Sequence, residues 1–108
     1  MLIAAYGGRC AVTGCDAVEA LEAAHIVPYR GPETNHVTNG ILLRSDLHTL
    51  FDLGMVAIDT TTMTLGLDSR IANSSYMELS GTLIRAPNIV AEHPSDALLD
   101  YHRLWSGL

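Results

Sequence analysis

Two histidines and an asparagine in the first half of the chain carry side chains suited to hydrolytic chemistry. They are His25 in AAHIVPY, Asn39 in the dipeptide NG, and His48 in DLHTLFDLG. Imidazole titrates near neutral pH and can take a proton from water, while a neighbouring divalent ion can stabilise charge on a phosphate. Asp52 lies four residues after His48, so on a helix both side chains can reach one cation. The set is typical of metal-assisted phosphodiester hydrolysis.

A strand pair packed against a helix would bring these residues together. CAVTGCDAVEALEAAHI predicts two short strands, the second ending at His25, and VPYRGPETNHVT has the composition of a surface loop. NGILL predicts another strand that starts near Asn39. A helix is predicted from Ser45, with apolar residues at helical spacing and a stop at Gly54. In this arrangement His25 and Asn39 converge on the helix face that carries His48.

Further elements are predicted on both sides of this segment. LIAAYGG reads as the last turns of a helix that stops at Gly-Gly. MVAIDTTTMTLGLD predicts a hairpin around a Thr-rich turn, and SSYMELSGTLI predicts a short helix or a helix and a strand. PSDALLDYHRLWSGL predicts an amphipathic helix capped by Ser95. Because so few residues precede the first helix end, we expect the 108 residues to be part of a longer protein.

Length and composition predict one globular domain in residues 1–108. The chain is 48% apolar and 17% charged, which is too hydrophobic for a disordered protein. It has no apolar run near the roughly 20 residues of a membrane helix, and its start lacks the features of a signal peptide. We therefore expect a soluble, cytoplasmic protein with no membrane partner.

The charge balance argues against a stand-alone DNA-binding protein. The formal net charge is −6, there is no lysine, and all basic residues are arginines. Nonspecific affinity for DNA comes mainly from basic groups that displace counterions from phosphates. A catalytic domain that another domain delivers to DNA stays compatible with this charge, since acidic metal ligands count as negative here.

Cys10 and Cys15 are the two cysteines of the chain, in RCAVTGC. A pair at this spacing is compatible with half of a structural zinc site, but such a site needs four ligands and the sequence has no second cysteine pair. The favoured interpretation is a strand-turn-strand with TG at the turn and two reduced thiols.

The motif pieces resemble the HNH endonuclease superfamily, which has a ββα-metal fold. They are YGGRCAVTGC, AAHIVPY, NGILLRSDLH and LFDLGMVAID, in that order, over residues 5–60. Within the superfamily they are most similar to the subgroup found in modification-dependent restriction enzymes and in related bacterial and phage proteins. The resemblance implies an α+β fold, a ββα-metal (HNH) core with an added β-hairpin and C-terminal helix, the extension being residues 61–108.

The resemblance also implies a role for each motif residue. His25 matches the first motif histidine, which activates the attacking water. Asn39 matches the central asparagine, which braces the loop and helps to orient that histidine. His48 matches the last histidine, a ligand of a single catalytic divalent ion. The implied activity is hydrolysis of DNA phosphodiester bonds by the cleavage module of a restriction or defence protein.

Two features of the sequence depart from the family pattern. Many members place Asp or His immediately before the first histidine as a metal ligand, and here that position is Ala24. Asp52 is the expected substitute, and Glu22 is the second candidate. The expected cofactor is one divalent ion: Mg²⁺, Mn²⁺, Ni²⁺ or Zn²⁺. Members with a structural zinc carry a second cysteine pair where this chain has Arg44 and Leu47, so we expect no such zinc.

Arginines near the motif are the expected phosphate contacts, because guanidinium pairs well with phosphate oxygens. Arg30 and Arg44 are the first candidates and Arg9 is a third. His36, in the same loop as Arg30, is interpreted either as a solvated residue or as a DNA contact.

Two functional hypotheses follow from these observations. The first is a metal-dependent DNA endonuclease, and the alternative is a non-catalytic, metal-stabilised domain that binds nucleic acid or protein. Because His25 is present, the enzyme is favoured. Expected partners are DNA and a fused or associated DNA-recognition domain, and the chain could form a homodimer. His93 and His102 lie outside the motif, and we expect no catalytic role for them.

Overall fold

A computed structural model describes residues 2–28, 30–31, 34 and 36–108. The helices are α1 (Leu2–Ala5), α2 (Ser45–Asp52) and α3 (Asp96–Ser106), and the strands are β1 (Leu21–His25), β2 (Gly40–Arg44), β3 (Val56–Asp59) and β4 (Thr64–Leu67). Short 3₁₀ turns lie at Val18–Ala20, Val37–Asn39, Met77–Leu79 and Val90–Glu92. The surface loop predicted before Asn39 falls partly outside the described residues.

The first strand pair and α2 form the predicted ββα unit. β1 and β2 are antiparallel, with Leu21 opposite Arg44 and His25 opposite Gly40. Three consecutive β2 residues, Ile41 to Leu43, are buried, because α1 and α2 both pack against this strand. The α+β prediction with a ββα core is confirmed.

Helix α2 begins and ends where the sequence predicts. It starts at Ser45, directly after β2, and it buries Leu47 and Phe51, which lie four residues apart on one face. The chain leaves the helix through Gly54, whose φ of +72° is costly for a residue with a side chain. A Cβ at Gly54 would also lie 3.2 Å from Cζ3 of Trp105. Gly54 thus serves both the turn and the approach of α3.

The C-terminal half supplies the predicted hairpin and helix. β3 and β4 pair in antiparallel fashion, with Val56 opposite Leu67. Ser95 caps α3 by accepting a hydrogen bond from the Leu98 backbone N–H. SSYMELSGTLI forms a 3₁₀ turn followed by a single bridge between Thr64 and Leu83. The helix α3 packs against β3.

The strand predicted at Cys10 is wrong, although the turn at TG is present. Residues 10–15 form a tight turn in which the Cys10 N–H donates to the Cys15 carbonyl and the Gly14 N–H to the Cys10 carbonyl. Cys10 Sγ, which is buried, accepts backbone N–H groups of Val12, Thr13 and Arg44 at 3.4 Å. Because the N–H groups of Val12 and Thr13 donate to the thiol, they do not pair with a neighbouring strand.

Among the helices formed by the described residues, none is both long and apolar enough to cross a membrane.

A buried histidine fastens α3 to the end of α2. The His102 ring stacks on Phe51, with centroids 3.6 Å apart and planes within 2°. Its Nε2 lies 2.8 Å from the Phe51 carbonyl oxygen, which can only accept, so Nε2 carries the hydrogen. Nδ1 is buried with no hydrogen-bond partner among the described residues. Burial disfavours the imidazolium form and lowers the pKa of His102 below its usual value.

His102 should make folding stability depend on pH. Below the usual histidine pKa of about 6.5, the unfolded chain takes up a proton that the folded chain refuses. The stability contributed by neutral His102 is therefore complete above about pH 6.5 and decreases as the pH falls, by at most about 1.4 kcal/mol per pH unit. In urea unfolding, the free energy of unfolding should decrease less from pH 7.5 to pH 5.5 in His102→Phe, which keeps the stacked ring, than in the wild type. Equal losses in both proteins would contradict this prediction.

Candidate active site

His48 is held between two carboxylates, one at each ring nitrogen. Its Nδ1 lies 2.8 Å from Oε1 of Glu22 on β1, and its Nε2 lies 3.1 Å from Oδ2 of Asp52. The spacing of four residues on α2 sets the second contact, because it brings His48 and Asp52 to the same face. The first contact joins α2 to β1 and fixes the plane of the imidazole.

The contact with Glu22 decides which nitrogen is available to a ligand. An ionised carboxylate only accepts hydrogen bonds, so Nδ1 donates its hydrogen to Glu22. In neutral imidazole Nε2 then carries a lone pair, and this lone pair faces another acceptor, the Asp52 carboxylate. Two acceptors at 3.1 Å repel each other unless a proton or a cation lies between them.

The Nε2 and Oδ2 atoms fit a divalent ion. Two donors that are each about 2.1 Å from one ion, at angles between about 90° and 109°, lie about 3.0–3.4 Å apart. The observed 3.1 Å between His48 and Asp52 falls in this range. Within the described residues no group of three or more His, Cys, Asp or Glu could hold a metal. Glu22 is not a third ligand of such an ion, because it contacts Nδ1 of His48 whereas Asp52 contacts Nε2. Two protein ligands would leave coordination positions for water or a phosphate.

His25 borders the same open pocket as His48 and Asp52. It is the last residue of β1, its side chain is exposed, and the pocket has a volume of about 560 Å³. His25 also borders a smaller pocket of about 280 Å³ that His36 lines. His25 at the end of β1 and the His48–Asp52 pair on α2 thus border one pocket.

Asn39 fixes the chain that leaves His25. It is 3% exposed, and its Oδ1 accepts the Val27 N–H at 3.0 Å. Its Nδ2 donates to the carbonyls of Thr34 at 2.8 Å and Val27 at 3.3 Å. The Asn39 carbonyl accepts the Ile26 N–H at 3.0 Å. These bonds hold the backbone directly after His25, which agrees with the bracing role implied by the resemblance.

The predicted phosphate contacts divide into two groups. Arg30 is exposed and lines the pocket with His25 and His48. Arg44 lies outside this lining, and its guanidinium forms two hydrogen bonds to Asp46, at 2.7 and 3.0 Å. The phosphate role of Arg44 stays a prediction in which DNA competes with Asp46.

The remaining two candidates lie outside the larger pocket. His36 is exposed and borders the smaller pocket, while Arg9 is exposed and lies 4.0 Å from Asp16. Their contacts with nucleic acid stay predictions.

Asp46 is the centre of a polar cluster at the start of α2. Its hydrogen bonds from Arg44, together with one from the Tyr76 hydroxyl at 2.6 Å, lower the pKa of Asp46 to about 2. The same contact raises the pKa of Tyr76. A carboxylate that stays ionised clamps Arg44 and Tyr76 at the start of α2, where its charge also suits the helix dipole.

Residues of α3 that the sequence did not predict to lie at the site also line the larger pocket. They are Tyr101, His102 and Trp105. Their helix is about 50 positions after the motif, so the spacing of the motif could not reveal their position. The available signal was the pair of aromatic residues four positions apart on an amphipathic helix.

Residues 10–59 match the protein family described as HNH endonuclease. This segment contains the three motif residues His25, Asn39 and His48, and it also contains Asp52. The match confirms the HNH resemblance predicted from the sequence, and it supports a nuclease role in general.

A solved structure shares the fold over nearly the whole chain. It is described as a modification-dependent TagI restriction endonuclease, with 19% sequence identity and a TM-score of 0.69. The likeness covers 96% of this chain and 35% of that one, so the chain spans about a third of the length of its relative. Comparison with curated protein sequences gave no match.

Replacement of Asn39 should lower the free energy of unfolding by more than the loss of a small polar side chain would suggest. Asn39→Ala leaves the Val27 N–H and two carbonyls without their partners, which should cost about 1–3 kcal/mol of unfolding free energy. Asn73→Ala, at an exposed asparagine, is the control and should change stability by less than about 0.5 kcal/mol. Urea unfolding measures both. Equal stabilities of the two variants would show that the asparagine does not brace this loop.

Proposed function

We propose that the chain is the cleavage domain of a metal-dependent DNA endonuclease within a longer, cytoplasmic restriction or defence protein. The observation that supports this most is the meeting of a histidine base and a histidine–carboxylate pair at one pocket. His25 supplies the base, and His48 with Asp52 supplies the pair. An HNH family match over the same residues agrees with this reading.

His25 acts as the general base in this proposal. It accepts a proton from a water molecule while the water oxygen bonds to phosphorus and the bond from phosphorus to the leaving oxygen breaks. Asn39 keeps the backbone after His25 in place through its bonds to Val27 and Thr34. Arg30, which lines the same pocket, pairs with a phosphate oxygen of the substrate.

His48 and Asp52 would hold the divalent ion. When bound, such an ion stabilises negative charge on the phosphate and on the leaving oxygen. Glu22 is a positioning residue, because it accepts the Nδ1 hydrogen of His48 and turns Nε2 toward Asp52. Carboxylate–histidine pairs of this kind orient metal-binding histidines in many proteins.

Specificity for a DNA site or a modified base is assigned to another part of the longer protein. The charge of −6 and the six arginines leave the 108 residues with few groups to displace counterions from DNA. The structural relative extends well beyond the shared fold, which leaves room for such a part. The cleavage domain alone should therefore bind DNA weakly and cut it with little sequence preference.

Two substitutions separate the base from the metal ligand. His25→Ala should lower the rate of plasmid cleavage by about 100-fold or more, while Mn²⁺ binding measured by calorimetry stays within about twofold of wild type, because His25 is not a ligand in this scheme. Asp52→Ala should weaken Mn²⁺ binding by about tenfold or more and should lower cleavage with it. Chelation with EDTA should stop cleavage by the wild type.

The control is Glu78→Ala, which removes the same charge at an exposed residue. Its Mn²⁺ affinity and cleavage rate should match the wild type. Cleavage by His25→Ala at the wild-type rate would show that His25 is not the general base. Cleavage that persists in EDTA would contradict the need for a metal ion. Unchanged Mn²⁺ binding in Asp52→Ala would show that Asp52 is not a metal ligand.

A further inference from the structure

Two aromatic side chains border the pocket on the side of α3. Tyr101 and Trp105 lie four residues apart on this helix, so both rings are on one face. They are 61% and 60% exposed, yet both line the pocket that holds His25 and His48. Large apolar rings that stay exposed beside polar, chemically active groups indicate a binding surface.

The Trp105 ring contacts Gly54 and lies near His102, while much of its surface remains exposed. Its Cζ3 lies so close to Gly54 that a Cβ there would be 3.2 Å away. The ring of His102 lies 5.7 Å from it, tilted by 47°, and His102 is itself anchored on Phe51. A ring held in this way offers a flat surface without the entropy cost of ordering it on binding.

The pocket combines the features that one nucleotide needs. Its volume of about 560 Å³ lies within the range of small-molecule sites. Arg30 supplies a cation for a phosphate, and Tyr101 and Trp105 supply aromatic surface for a base. A base inside a duplex has both faces covered by its neighbours, so an aromatic platform can stack only on a base that is unpaired or turned out of the stack.

We propose that Tyr101 and Trp105 form a stacking subsite for an unpaired nucleobase next to the phosphate that is cut. This inference rests on the proposed endonuclease function and adds a substrate preference to it. The domain should act faster on single-stranded or locally unpaired DNA than on intact duplex.

A protein surface is the competing occupant of α3. Leu104, between the two aromatic residues in sequence, is 80% exposed but does not line the pocket. A protein partner would use Leu104 together with the rings, whereas a base in the pocket would use the rings without it. Leu104→Ala is therefore the matched control.

The test compares two single-stranded oligonucleotides of equal length and charge, one with normal bases and one with abasic sites. For wild type, kcat/KM for cleavage should be about tenfold higher with bases, since stacking on one aromatic ring changes affinity by about 5- to 150-fold. Trp105→Ala and Tyr101→Ala should lose most of this ratio, Trp105→Phe should keep most of it, and Leu104→Ala should keep all of it. Each ratio is internal to one protein, so partial unfolding of a variant cancels.

A second readout does not depend on cleavage. Trp105 is the sole tryptophan, so its fluorescence in EDTA should be quenched by the oligonucleotide with bases and much less by the abasic one. If the wild type cleaves neither oligonucleotide but the quenching difference is present, the endonuclease proposal fails and the stacking subsite stands. Equal quenching by both oligonucleotides, or equal base-to-abasic ratios in wild type and Tyr101→Ala, would overturn the subsite. Loss of the ratio in Leu104→Ala would also overturn it.

Discussion

Each ring nitrogen of His48 faces a carboxylate oxygen, and the chemistry proposed for this protein depends on that arrangement. Glu22 accepts a hydrogen bond from Nδ1, and in a neutral ring Nε2 and the Asp52 carboxylate are then two acceptors at 3.1 Å. Electrostatic repulsion between acceptors is relieved by positive charge. A proton or a divalent ion between the two atoms would supply that charge, and we propose His48 and Asp52 as the ligands of such an ion.

Contacts elsewhere in the fold hold His25 and helix α3 in place around His48. The antiparallel register puts His25 at the end of β1, opposite Gly40, and the side chain of Asn39 ties down the backbone that follows His25. Helix α3 closes the other side of the pocket through His102, whose ring lies on Phe51 and whose Nε2 donates to the Phe51 carbonyl. The small core thus supports the site from two sides with buried polar contacts in addition to apolar packing.

Local signals in the sequence predicted the parts of the fold that local physics determines. The bounds of α2 follow from Ser45, the apolar spacing and Gly54, and the pairing of His48 with Asp52 follows from helical periodicity. The Ser95 cap and the hairpin of β3 and β4 were predicted for similar reasons.

Contacts that depend on side-chain geometry or on the packing of elements were harder to predict. Glu22 was a candidate ligand, but its approach to Nδ1 depends on how β1 packs against α2. Arg44 is paired with Asp46 through a contact that only the side-chain geometry reveals. The turn at Cys10 replaced a predicted strand because the thiol accepts three backbone N–H groups, a pattern that alternation of apolar residues does not encode. The position of Tyr101 and Trp105 beside the motif likewise depends on the packing of α3.

The tautomer of His48 shows whether Nε2 is the ring nitrogen that faces a divalent ion. Nitrogen NMR of the ¹⁵N-histidine-labelled chain distinguishes Nδ1 from Nε2, and the spectrum of a His48→Gln variant assigns the signals. We predict that in the presence of Mg²⁺ the His48 ring carries its hydrogen on Nδ1, and that Mn²⁺ broadens the Nε2 signal more than the Nδ1 signal. A metal-loaded protein in which His48 carries its hydrogen on Nε2, or in which Mn²⁺ broadens Nδ1 first, would contradict it.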